Sequence, residues 1–87
     1  MPVTEGPYTY RRNTLHLAVI LGGRDQDGNV PVFGYANGAE PESNAARACF
    51  GLNLADHLCA ANSGAAAARD AHDLSGALAA LTAAGVA

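Results

Sequence analysis

An 87-residue chain has room for one hydrophobic core, which by surface scaling buries somewhat over ~60% of the surface its unfolded form exposes. A formal charge of -3 and a pI of about 5.3 disfavour long-range attraction to nucleic acid or to an anionic membrane surface and favour protein partners. The longest apolar run is interrupted well short of the roughly 20 residues that span a bilayer, and Pro2, Thr4, Glu5 and Gly6 stand where a signal peptide would carry basic and apolar regions. The reading is therefore a soluble cytoplasmic protein, in the host cytoplasm if phage-encoded.

The composition breaks near Ala39. Strand-favouring residues lie before it, and an alanine-dominated stretch with one aromatic, Phe50, lies after it. One domain over residues 1–87 is expected, with a loose N-terminal arm (1–7), a β-hairpin region (8–36) and a helical region (40–85). Residues 8–12 form a possible third short strand. Residues 14–21 alternate, with Leu15, Leu17, Val19 and Leu21 on one face and His16, Ala18 and Ile20 on the other. Both faces are largely apolar, which suits a central strand and makes His16 partly buried. The turn formers from Gly22 to Asn29 predict a hairpin loop, and residues 30–35, with Pro31 near the start, its edge partner.

Glu40-Pro41-Glu42-Ser43 combines a proline that the first helical turn tolerates with acids that the macrodipole favours, so a helix starts near Pro41. On a wheel, Ala45, Ala48, Cys49, Leu52, Ala55 and Cys59 make one apolar stripe, and Phe50, Leu54 and Leu58 a second on the opposite side. Asn53, Asp56 and His57 form the arc expected to face water. Asn62-Ser63-Gly64 ends this helix, and the alanine tract to Arg69 and Asp70 reads as a short connecting helix. A last helix takes Asp73 as N-cap and buries Leu74, Ala77, Leu78, Leu81 and Ala84. Its reverse face, Ser75, Ala79, Thr82 and Ala83, is small and uncharged, which permits close packing against a second body. The fold class is α+β: a small antiparallel β-hairpin sheet of two or three strands followed by two or three helices packed on it, in ββαα order.

No constellation supports catalysis, a cofactor or a metal. Asp25-Gln26-Asp27-Gly28-Asn29 resembles the opening of an EF-hand loop, but the glycine and the bidentate glutamate that the loop requires are replaced by Val30 and Ala36. His57 and Cys59 are two apart, about 200° on a helix, so they aim apart. Cys49 and Cys59, ten residues apart on one helix, have Cα atoms about 15 Å apart along its axis, too far for a disulfide. They read as small core residues in a reducing setting. His72, flanked by Asp70 and Asp73, reads as surface decoration. Ser43, Ser63 and Ser75 stand at helix starts or in a turn, where capping explains them. The chain is read as a non-enzyme with no cofactor.

The candidate partner-binding residues are Tyr8, Tyr10, Arg11, Arg12 and Arg24, an aromatic and basic set, together with the second seam of Phe50, Leu54 and Leu58. The functional expectation is a small non-catalytic interaction module that binds a larger protein or a second copy of itself. Compact acidic proteins of this size are common among phage and mobile-element products that occlude host machinery, anti-CRISPR-type inhibitors included, although no motif here identifies such a family. The absence of lysine among the five cations fits a GC-rich prokaryotic or phage source. A nucleic-acid or small-ligand binder using Tyr8, Tyr10, Arg11 and Arg12 is the competing reading, and a structural homo-oligomer subunit a further one. The strand, strand, helix order is similar to that of double-stranded RNA-binding domains. Those begin their final helix with lysines, whereas Glu40 and Glu42 occupy this region and would repel phosphate.

Overall fold

A computed structural model describes residues 3–86. Three antiparallel strands, β1 (Thr9–Thr14), β2 (Leu17–Leu21) and β3 (Val32–Asn37), precede three helices, α1 (Pro41–Ala60), α2 (Ser63–Asp70) and α3 (Leu74–Ala83). The fold is α+β, as the composition break implies. The chain divides into two compact units, Met1–Asn53 and Leu54–Ala87, with α1 contributing residues to each.

In the first unit β2 is the central strand, paired with β1 on one side and β3 on the other. Its Ala18 and Ile20 are buried on one face with Tyr8, Ala45 and Cys49, and Ala36, Ala48 and Leu52 pack around this core. Ala18 and Ala45 are both 0% exposed. Methyl-sized side chains on strand and helix let the two backbones approach closely, so the core is thin but dense. Val19 points the opposite way. Its cross-strand neighbours Arg11 and Tyr35 flank it, and it too is buried.

The run expected to be one strand over residues 14–21 is broken by a tight turn at Leu15 and His16, which joins β1 to β2 beside a register shift between Arg12 and Thr14. Leu15 is 69% exposed at this turn and His16 is exposed as well, rather than partly buried. Alternation continues through the reversal, so period alone does not show it. Residues 8–12 are realised as the longer β1, and the β3 edge lies two residues later than expected.

Residues 4–6 lie against the end of β2. The Gly23 amide donates to the Glu5 carbonyl at 2.8 Å, and that of Gly22 to the Pro31 carbonyl at 2.9 Å. A Cβ at Gly22 would stand 2.6 Å from Thr4 Cγ2, and one at Gly23 2.5 Å from the Gly6 carbonyl oxygen, so this close approach requires glycine at both positions. In the loop that follows, one Asp25 carboxylate oxygen accepts from the amides of Asp27 and Asn29, each at 2.9 Å, and Gly28 takes φ 81°. That is an Asx-type turn closing a hairpin.

In the second unit α1 ends at Ala60, and Asn62 opens α2 as its N-cap, accepting from the Ala65 amide at 2.9 Å. Asp73 caps α3 in the same way through the Gly76 amide at 2.9 Å. Cys59, Ala65 and Leu81 form the core, with Leu58, Ala66 and Ala80 packed on it. Of the last-helix residues expected to be buried, Leu81 is buried, whereas Leu74 is 75% and Leu78 51% exposed, and Ala84 is exposed. The reason is supply: α2 spans only Ser63–Asp70 and brings little but methyl groups, which cover one leucine of α3 and not three.

Candidate interaction surface

The aromatic and basic set of the N-terminal strand is not one patch. Tyr8 is buried, its ring edge-on to Phe33 with centroids 5.2 Å apart and its hydroxyl donating to the Thr4 carbonyl at 2.8 Å. Its backbone amide donates to Asn53 Oδ1 at 2.7 Å, and Asn53 Nδ2 donates back to its carbonyl at 2.9 Å. Asn53, expected to face water, is therefore half-buried and grips the start of β1 from α1.

Alternation separates the next three residues. Tyr10 and Arg12 share the face of Ile20 and Ala18, while Arg11 shares the opposite face with Val19 and Tyr35. Arg12 Nε lies 2.6 Å from Glu42 Oε1 in an exposed ion pair. Arg24 donates to the Gly28 carbonyl at 2.7 Å and so braces its own loop. A base stacked between Tyr8 and Tyr10 would have to displace the packed Tyr8 ring, and Arg11 and Arg12 lie on opposite faces of β1.

The second seam of α1 divides between the units. In the first, Phe50 is 72% exposed. In the second, Leu54 is 44% exposed and Leu58 is half-buried against the Cys59, Ala65 and Leu81 core. Leu58 is thus partly structural, and Leu54 keeps an open side.

The second unit also carries an open apolar groove of about 330 Å³. The buried Cys59 and Leu81, with Ala55 and Ala77, line it, and the exposed Leu74 and Leu78 stand beside them. Arg69, His72 and Asp73 supply its polar margin. The local reason is the Arg69–Asp73 corner: His72 takes φ 62°, an unusual left-handed conformation, and turns the chain sharply from α2 into α3. Arg69 bonds Asp70 at 3.2 Å and Asp56 at 3.3 Å. The Asp70 hydrogen bond, first, and the nearby negative charges raise the Arg69 pKa above its ordinary value. The groove lining is otherwise hydrocarbon and the Cys59 thiol, a surface that can exclude water from an apolar side chain.

Leu74 and Leu78 are the large side chains of α3 that periodicity alone misassigns. A signal for them is present in the chain: Leu74–Ala83 contains no charged residue, so α3 lacks the solvated face that an ordinary surface helix carries. Cys49, in the core of the first unit, is driven toward its neutral thiol by burial, which raises its pKa. Both cysteines are free.

Among the described residues no helix is long and apolar enough to cross a membrane, and no group of three or more histidine, cysteine, aspartate or glutamate residues could hold a metal ion. Set beside models of protein families, curated proteins and solved structures, this α+β chain shows no match to any of them.

Proposed function

We propose that this chain is a small non-catalytic protein-interaction module whose partner-binding surface is the leucine-lined groove of its second unit. The observation that supports this reading is the exposure of Leu74 and Leu78 beside an apolar groove. Each such leucine, when covered by a partner, contributes about 1–2 kcal/mol, more than an exposed ion pair usually supplies. A set of large side chains left in water at one groove is what a binding surface requires. The module acts in the cytoplasm by occluding or bridging a larger protein, and its two free thiols fit a reducing compartment. Its acidity favours a protein over a nucleic acid as the partner.

The test is paired capture from a nuclease-treated bacterial lysate, with the wild-type chain and the Leu74→Glu and Leu78→Glu variants side by side. Both leucines are already exposed, so the variants keep the fold, which circular dichroism checks. A near-stoichiometric protein held by the wild type and released by either variant supports the reading. Capture that both variants retain removes the groove from the account.

A further inference from the structure

We propose that the groove takes a basic amphipathic helix of a partner protein, its apolar stripe on Leu74, Leu78 and Leu81 and its cations toward Asp70 and Asp73. This rests on the groove being the partner-binding surface, and it adds the partner's secondary structure and charge.

The case for a helix comes from the elements at hand. Among its described residues the second unit has helices and no strand, so it offers no strand edge on which an extended peptide could pair its backbone. Leu74, Leu78 and Leu81 recur at four- and three-residue spacings along α3, a stripe about 10 Å long. An incoming helix with apolar residues at the same spacings matches such a stripe side chain for side chain.

The case for basic charge comes from the margin. The second unit carries three carboxylates, Asp56, Asp70 and Asp73, against one arginine, Arg69, and no lysine. Arg69 is already shared between Asp56 and Asp70, and the Asp70 side chain remains 72% exposed. Asp73 uses one oxygen to cap α3 and keeps its charge beside the groove. Arg69 and His72 line the groove with Asp73, but the arginine's charge is met by Asp56 and Asp70. Carboxylates therefore outnumber cations beside the apolar floor, which selects against acidic helices as much as it attracts basic ones. A second copy of this chain does not supply the complement: α1 carries Glu42, Arg47 and Asp56, α2 carries Arg69 and Asp70, and α3 carries no charge.

The experiment titrates the isotopically labelled chain with two synthetic amphipathic peptides of about 18 residues, long enough to be helical. They are identical in their leucine stripe and differ only in having lysine or glutamate on the polar face. The lysine peptide is expected to shift amide resonances within residues 55–81, to bind more weakly as salt rises, and to bind more tightly than the glutamate peptide. Leu78→Glu should weaken it about tenfold or more, and Asp70→Lys roughly 2–5-fold. Equal or tighter binding of the glutamate peptide at the same residues overturns the basic-partner proposal and leaves the groove as the binding surface. Shifts confined to residues 9–37, or none from either peptide, overturn both.

Discussion

Asn53 shows how one side chain can fix a register across 45 residues of sequence. Both ends of its amide are used on the backbone of Tyr8, which sets where β1 begins and brings the Tyr8 ring against Phe33. Replacing it by alanine removes two hydrogen bonds at a half-buried position and should cost about 1–3 kcal/mol, read as a lower midpoint in urea at unchanged slope. An unchanged midpoint would mean that the tyrosine is held by its other contacts alone. Sequence could not show this role, because a helical wheel assigns Asn53 to the polar arc and carries no information about which chain segment will meet it. His16 is a parallel case. Its place among leucines looks like burial until a reversal of two residues puts it at an exposed turn.

At the scale of elements, the legible features are those set by local chemistry. Pro41 opens α1, the turn formers from Gly22 to Asn29 close a hairpin, and Asp73 caps α3, each where its backbone preference places it. Asp73→Ala should therefore cost about 1 kcal/mol and lower the thermal midpoint, with the loss measured against an Asp73→Asn variant that retains the cap. Equal stability of the alanine and asparagine variants would show that the cap contributes nothing. What local rules leave open is which apolar stripe finds a covering surface. Ala45, Ala48, Cys49 and Leu52 of α1 do, because β2 presents Ala18 and Ile20 to them. Phe50, Leu54, Leu74 and Leu78 do not, and in the second unit α2 brings no large apolar side chain to cover the leucines. The same periodicity thus describes a core stripe and an exposed one, and only the tertiary supply of partners separates them.

For the whole molecule, composition limits both stability and partner choice. Much of the 49% hydrophobic fraction is alanine, so each unit closes a small core and leaves leucines outside it. The net charge of -3 then biases encounter toward cationic surfaces, and in the second unit Asp56, Asp70 and Asp73 outnumber Arg69. The measurement that tests this account most directly is amide hydrogen exchange of the chain alone and in complex with the protein it captures from lysate. Slowed exchange concentrated in α3 and the flanking residues 54–60 and 69–73, with β1 to β3 unchanged, is the predicted result. Protection of the strands, with α3 exchanging as it does in the free chain, would contradict it and move the binding surface to the sheet.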